Sequence, residues 1–211
     1  DVTKPYLGWG CGFEDFDADG DLEIFVADGH VYPQVDELDV GSTYLQRNLL
    51  FEYDGKAFHA PAGGGGPGFE LERASRGAAV GDVDGDGDLD LLFGNLDGPP
   101  TLLRNESGVG NWVRIRLVGA AGNRDAVGSR VTVRAGGRSQ LRLVSTAGSF
   151  LSSSDPTLFI GIGEAERADE VEVRWPDGRI DRLGELAAGT VTTVEEGAGP
   201  AGAARVTTEG P

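Results

Sequence analysis

The chain has 211 residues, and its single cysteine, Cys11, excludes an internal disulfide. Its formal net charge of −17 argues against a nucleic-acid partner, because proteins that bind nucleic acids carry a basic surface. No apolar run approaches the ~20 residues of a membrane-spanning helix, so we expect no insertion into a membrane.

The negative charge is concentrated in the first half of the chain. Residues 1–108 contain 22 Asp and Glu against 6 Lys and Arg, whereas residues 109–197 contain 12 against 11. This change of composition predicts a domain boundary near residue 108. The last segment is rich in Ala, Gly, Thr and Pro and has no periodicity. We therefore predict one domain over 1–108, a second over 109–197 and a flexible tail over 198–211.

Two acidic segments in the first domain are near-copies of each other, 67 positions apart. Asp15 to Glu23 reads DFDADGDLE, and Asp82 to Asp90 reads DVDGDGDLD. Each has an acidic residue at every second position and a glycine that permits a sharp bend. Five carboxylates in nine residues repel one another unless a cation neutralises them. An all-oxygen set of ligands at this density is typical of Ca2+.

Short apolar strands flank both loops, which predicts a repeated β unit. In the first unit Asp54 and Gly55 form a favoured hairpin turn between two further strands, giving four antiparallel strands. The second unit has three evident strands, and residues 112–118 could supply a fourth. Such a repeat predicts about two blades of a β-propeller. Because two blades cannot close a ring, we expect the remaining blades upstream of this chain.

The sequence of the second domain predicts an all-β sandwich. Short strands recur at regular intervals with glycine-containing turns between them, and apolar residues alternate with polar ones. The predicted strands cover residues 112–118, 129–134, 138–144, 158–162, 171–175, 179–183 and 190–195.

The loop pattern D-x-D-x-D-G-x-x-D predicts two calcium sites. Positions 1, 3, 5 and 9 supply carboxylates, and position 7 supplies its backbone carbonyl. Since Glu at position 9 is one methylene longer than Asp, we expect the first site to be weaker or differently shaped. The predicted ligands are Asp15, Asp17, Asp19, Asp21 and Glu23 in the first loop and Asp82, Asp84, Asp86, Asp88 and Asp90 in the second.

The acidic loops admit two other interpretations. An EF-hand needs flanking helices and a Glu at position 12, where this chain has Val26 and Phe93. A solvated acidic turn without an ion is the second alternative, and two copies with the same spacing argue against it.

The motifs resemble known families. GWGCGFEDFDADGDLEIFVADGHVYP and GAAVGDVDGDGDLDLLFGNLDGPPTLLRN resemble FG-GAP/VCBS repeats, and NWVRIRLVG, NRDAVGSRVTV, LFIGIG and VEVRWPDGR resemble the ASPIC/UnbV domain. Together, over roughly residues 6–196, they are similar to the C-terminal part of the cartilage acidic protein family. The resemblance implies an extracellular, calcium-binding protein with a seven-bladed propeller, and it supplies no catalytic residue to carry over.

A set of arginines in the second domain suggests a ligand-binding face. They alternate with apolar residues along the predicted strands, and such a face would suit an acidic glycan or an acidic partner. The alternative is a solvated face or one docked against the acidic domain. The residues are Arg114, Arg116, Arg134, Arg142 and Arg174.

The sequence therefore predicts a non-enzymatic calcium-binding module, secreted or placed at a bacterial surface or in the periplasm. Ca2+ would rigidify the blades, and the surface would bind an unidentified protein or glycan. One alternative is the C-terminal part of an enzyme of polysaccharide or secondary metabolism, with catalytic residues in the absent blades. Another is a structural spacer.

Overall fold

A computed structural model describes residues 3–108, 110–120, 122–199 and 204–210. Within these ranges the chain forms seventeen β-strands and two short 3-10 helices, over Pro33–Glu37 and Pro67–Glu70. Neither helix has the length and hydropathy needed to cross a bilayer. The predicted all-β class is confirmed.

The first repeat unit is a four-stranded antiparallel sheet, as predicted. The acidic loop of this unit joins its first two strands, and the turn at Asp54 and Gly55 joins its last two. Gly55 has φ of 86°, and the Asp54 side chain accepts hydrogen bonds from the amides of Lys56 and Ala57, which fixes this hairpin. The sheet order is β1 (Gly8–Glu14), β2 (Glu23–Asp28), β4 (Leu49–Tyr53) and β5 (Phe58–His59).

The second unit is a three-stranded sheet that packs beside the first. Phe25 of the first unit and Phe93 of the second lie in one buried cluster, so the two units share a core. A two-stranded ladder links the units. The described ranges contain two blade-like sheets and do not by themselves form a closed propeller. The strands are β7 (Ser75–Gly81), β8 (Asp90–Asn95) and β9 (Thr101–Leu103), and the ladder pairs β3 (Gln46–Arg47) with β6 (Glu72–Arg73).

The C-terminal sandwich consists of two four-stranded sheets around a separate core. Its buried residues come from both sheets, for example Ile115 and Ile160 from one and Val131 and Val173 from the other. One sheet has the order β13 (Leu158–Gly163), β10 (Asn111–Val118), β16 (Thr190–Glu195) and β17 (Arg205–Glu209). The other has the order β12 (Arg138–Leu143), β11 (Arg130–Ala135), β14 (Arg167–Arg174) and β15 (Ile180–Ala187).

Residues 112–118 do not complete the second blade. They lie in β10, which pairs antiparallel with β13 and parallel with β16. The cause is the apolar face of β10, since Val113, Ile115 and Leu117 are all buried in the sandwich core. The interpretation of this strand as a fourth blade strand is therefore corrected.

The flexible tail predicted over 198–211 is also corrected in part. Residues Arg205–Glu209 form β17, which pairs antiparallel with β16, while residues 200–203 and 211 lie outside the described ranges. The hydroxyls of Thr192 and Thr208 hydrogen-bond at 3.1 Å, and Arg205 forms an ion pair with Glu195. Val206 and the two threonines after it favour a strand.

The two halves of the chain pack against each other. Phe159 of β13 belongs to the buried cluster of the blade-like sheets, and Trp112 of β10 packs against it. The sandwich therefore contributes side chains to the core of the first half. This packing places the start of β10 and the end of β13 beside the two acidic loops.

Candidate metal centres

The first acidic loop gathers three carboxylates at one point. The side chains of Asp15, Asp17 and Asp19 each place an oxygen within 4.8 Å of the others. The backbone holds them there, because Gly20 N donates to Asp15 Oδ2 at 3.0 Å and Asp19 N donates to Asp17 Oδ1 at 3.2 Å. The amide of Asp21 donates to Asp19 Oδ1 at 2.7 Å. The turn is thus folded around its own acidic side chains.

The second loop has the same arrangement 67 residues later. Asp82, Asp84 and Asp86 place carboxylate oxygens within 4.8 Å of one another. Gly87 N donates to Asp82 Oδ2 at 3.2 Å, and Asp86 N donates to Asp84 Oδ1 at 3.3 Å. The two sequence copies therefore form two structural copies, each able to hold a metal ion.

The ninth residue of each loop closes the turn. Glu23 Oε2 accepts the amide of Phe16, and Asp90 Oδ2 accepts the amide of Val83, both at 2.8 Å. The longer Glu side chain makes the same contact as Asp. The three-carboxylate clusters contain positions 1, 3 and 5, so ligation by Glu23 and Asp90, and by the carbonyls of Asp21 and Asp88, remains a prediction.

Burial and like charge raise the pKa values of Asp15, Glu23 and Asp88. The pKa of Asp15 rises to about 7 because the group is buried and because Asp19 and Asp17 lie close to it. Burial also raises the pKa of Glu23 to about 8 and that of Asp88 to about 7, the latter with a contribution from the charge of Asp86. Ionised carboxylates at this spacing are costly unless a cation is present.

The donor set fits a hard divalent cation. Asp15 is 1% exposed, and its Oδ1 has no hydrogen-bond partner in the part of the chain that the structure describes. A buried carboxylate oxygen without a partner is rare and calls for a ligand. The clusters offer oxygen atoms alone, which is the chemistry that Ca2+ and Mg2+ prefer and Zn2+ does not.

The sandwich holds the first loop directly. Gly161 N of β13 donates to Asp15 Oδ2 at 3.1 Å, and Gly163 N donates to Ala18 O at 2.9 Å. Arg138 of β12 donates to Asp19 O at 2.8 Å and to Asp21 Oδ1 at 2.6 Å. The first candidate metal centre is therefore built by both halves of the chain.

The sandwich also contacts the second loop. Arg114 of β10 lies 2.6 Å from Asp82 Oδ2 and 3.5 Å from Asp155 Oδ2. Trp112 packs over Gly87, where a Cβ would clash with the indole ring. Both loops thus face the sandwich.

The five arginines predicted as one ligand face do not come together, and that interpretation is corrected. Strand pairing sets Arg142 opposite Val131, on the core-facing side of its sheet, where it donates to Gln140 Oε1 at 2.8 Å. Arg134 pairs instead with Glu170. Arg114 and Arg116 lie on β10, in the other sheet, whereas Arg134, Arg142 and Arg174 lie on β11, β12 and β14.

A serine-containing connection was not predicted from the sequence. Between β12 and β13, Ser152 Oγ accepts the amide of Ala78 at 2.7 Å, and Ser154 Oγ accepts the amide of Val80 at 3.1 Å. Ser149 accepts the amide of Cys11. These serines satisfy backbone donors of β1 and β7. The alternate spacing of Ser152 and Ser154 is the one local sequence signal for an extended segment. It does not identify the strand whose amides these serines accept.

Comparison with known families agrees with this architecture. Residues 15–93 match the family model described as FG-GAP-like repeat, and residues 119–201 match the one described as ASPIC and UnbV. The chain is therefore similar to FG-GAP-like repeats in its first half and to the ASPIC and UnbV family in its second. The segment that matches FG-GAP-like repeat contains both acidic loops, and the segment that matches ASPIC and UnbV covers most of the sandwich.

Curated proteins named Cartilage acidic protein 1 are similar in sequence to this chain. The chain is 34% identical to human Cartilage acidic protein 1 over 122 residues and 32% identical to the Xenopus tropicalis protein over 117 residues. These matches cover 54% and 53% of this chain and 18% of each relative, so the similarity spans a small part of the longer proteins. The predicted resemblance to the cartilage acidic protein family is confirmed.

A solved structure of a candidate cell adhesion protein from Bacteroides ovatus also aligns with the chain. The alignment covers 90% of this chain and 67% of that one, with 12% sequence identity and a TM-score of 0.26.

Proposed function

We propose that the chain is a calcium-binding interaction module in which one Ca2+ ion occupies each acidic loop. The observation that carries this proposal is the pair of matching three-carboxylate clusters, supported by the buried, unpartnered Oδ1 of Asp15. Asp15, Asp17 and Asp19 hold the first ion, and Asp82, Asp84 and Asp86 hold the second. The ninth residues and the carbonyls at position 7 complete the ligand sets.

Ca2+ suits these loops better than Mg2+ does. Mg2+ requires near-ideal octahedral geometry and retains several waters, whereas Ca2+ accepts six to eight oxygens in a flexible arrangement. A nine-residue loop with carboxylates at alternate positions provides many oxygens at varied angles. An ion saturated with such ligands stabilises the turn and activates no nucleophile, so the role proposed for it is structural.

The ions would make the junctions β1–β2 and β7–β8 rigid and hold the sandwich against them. The loops contact the sandwich through Gly161, Arg138 and Arg114, so ordering the loops also orders this packing. We propose that the resulting surface binds an extracellular protein or glycan without catalysis, in a secreted protein or at a bacterial surface or periplasm. The relatives named cartilage acidic protein support an extracellular setting.

Thermal unfolding tests the structural role of the ions. An ion that binds only the folded state raises stability by mass action, so Ca2+ at about 100 times Kd should add about 2.7 kcal/mol per site and raise Tm by at least ~5 °C. Mg2+ at the same concentration should raise Tm less. A melting curve that is the same in excess Ca2+ and excess chelator would overturn the proposal.

A binding screen tests the interaction role. The full chain would be applied to arrays of secreted proteins and of glycans, once in Ca2+ and once in chelator. We expect captured partners that are lost on chelation. The variant Asp15→Asn/Asp82→Asn should behave in Ca2+ as the unchanged chain behaves in chelator.

A further inference from the structure

The two acidic loops have the same pattern of internal hydrogen bonds but differ in the side chains that surround them. In the first loop the clustered carboxylates accept hydrogen bonds from backbone amides, and Asp15 Oδ2 accepts two, from Gly20 N and Gly161 N. No ion pair within 4.0 Å involves Asp15, Asp17 or Asp19 among the ion pairs of the described ranges. None of these three carboxylates therefore has a guanidinium at ion-pair distance in the described ranges that would compete with a metal ion.

The second loop is partly neutralised by arginines. Arg114 Nη1 lies 2.6 Å from Asp82 Oδ2, and Arg104 Nε lies 2.9 Å from Asp84 Oδ2. The first pair is shielded from solvent, because the side chains of Arg114 and Asp82 are 15% and 2% exposed. Two of the three clustered carboxylates in this loop are thus already paired with a guanidinium.

We propose that the first loop is the high-affinity Ca2+ site and that Arg114 lowers the affinity of the second. This inference rests on the proposed calcium binding. A cation bound at the second loop must share Asp82 with a guanidinium a few ångströms away, and repulsion in a partly buried site is poorly screened by water or salt. The presence of Glu23 at position 9 alone predicts the opposite order of affinities, with the first site the weaker. In the structure Glu23 makes the same closing contact as Asp90.

The arginines beside the first loop do not have the same effect. Arg138 pairs with the side chain of Asp21, which lies outside the three-carboxylate cluster, and donates to the carbonyl of Asp19. Arg142 donates to Gln140 Oε1 and Leu141 O, and its charge acts on Asp15 from beyond ion-pair distance. Arg134 is the control, since its ion pair is with Glu170 of β14 rather than with a residue of either loop.

Calorimetric titration of the metal-stripped chain with CaCl2 tests the proposal. We expect two binding steps that differ at least about tenfold in Kd, a ratio equal to ~1.4 kcal/mol. Asp17→Asn should remove the tight step, and Asp84→Asn should remove the weak one. Arg114→Gln should tighten the weak step about tenfold, whereas Arg134→Gln should leave both steps within about twofold.

Arg104→Gln provides a second test that does not disturb a buried residue. Arg104 is 52% exposed, and its removal should tighten the weak step about threefold. Equal affinities, loss of the weak step in Asp17→Asn, or no tightening in both arginine variants would overturn the proposal. Absence of Ca2+ binding at both loops would overturn the proposed function as well, whereas binding in the opposite order would overturn this inference alone.

Discussion

The backbone amide of Gly161 donates a hydrogen bond to Asp15 Oδ2 across 3.1 Å, joining residues 146 positions apart in the sequence. The first residue of the first acidic loop is therefore oriented by the sandwich as well as by its own turn. Asp15 Oδ1 is left buried and without a partner in the described part of the chain. The proposed metal binding at this loop would thus be linked to the packing of the two halves through one carboxylate.

Replacing Gly161 with alanine should disrupt this contact. A Cβ at Gly161 would lie 2.6 Å from Ala18 Cα and would clash with Asp15 Oδ2, so backbone must move. We expect Gly161→Ala to lower the free energy of unfolding by about 1–3 kcal/mol and to weaken Ca2+ binding at the first loop. Gly94→Ala is the control, because the nearest atom to its Cβ would be 3.9 Å away. Equal stability of the two variants in urea denaturation would contradict this account.

The serine connection should contribute measurably to packing of the sandwich on β7. Ser152→Ala removes the acceptor for the amide of Ala78 and should cost about 0.5–1.5 kcal/mol of unfolding free energy. The neighbouring Ser153 is exposed, and Ser153→Ala should change stability by less than ~0.5 kcal/mol. The comparison is made by chemical denaturation in Ca2+. If both variants have the same free energy of unfolding as the unchanged chain, the hydrogen bond contributes no net stability.

Asp28 should make the stability of the metal-free chain depend on pH. Burial raises the pKa of its carboxyl from 3.8 to about 7. The folded state therefore holds this proton more tightly than the unfolded state. The contribution of Asp28 to stability is full below pH ~4 and is lost as the pH rises to ~7.

The variant Asp28→Asn removes this titration. We expect it to be more stable than the unchanged chain at pH 8, by at least about 1 kcal/mol, with a difference that shrinks as the pH falls from 7 toward 4. Asp125→Asn, at an exposed turn, should show no such trend. Urea denaturation in chelator across this range measures both. A gain from Asp28→Asn that is constant with pH would show that burial of the charge is not its cause.

Local sequence pattern was enough to predict the acidic loops and most strands. Alternate side chains of a tight turn converge, so the spacing of Asp15, Asp17 and Asp19 predicted their meeting point. The turn at Asp54 and Gly55 likewise predicted its hairpin. In each case the residues that meet are close in sequence.

The partners of each element could not be predicted in the same way. The alternating pattern of residues 112–118 suits an edge strand of a blade as well as a strand of the sandwich, and only the fit of Val113 and Ile115 to the distant core decides between them. Arg114 and Arg142 are both arginines that alternate with apolar residues on a strand. Arg114 nevertheless forms an ion pair with Asp82, whereas Arg142 donates a hydrogen bond to Gln140. Strand β17 was missed because glycine and alanine surround its short run of Val and Thr.

The stoichiometry of Ca2+ binding tests the central claim most directly. Equilibrium dialysis of the metal-stripped chain should give two bound Ca2+ ions at saturation. Asp15→Ala and Asp82→Ala should each retain one, and the double variant should retain none. Two ions bound by either single variant, or none bound by the unchanged chain, would contradict the assignment of the acidic loops as the calcium sites.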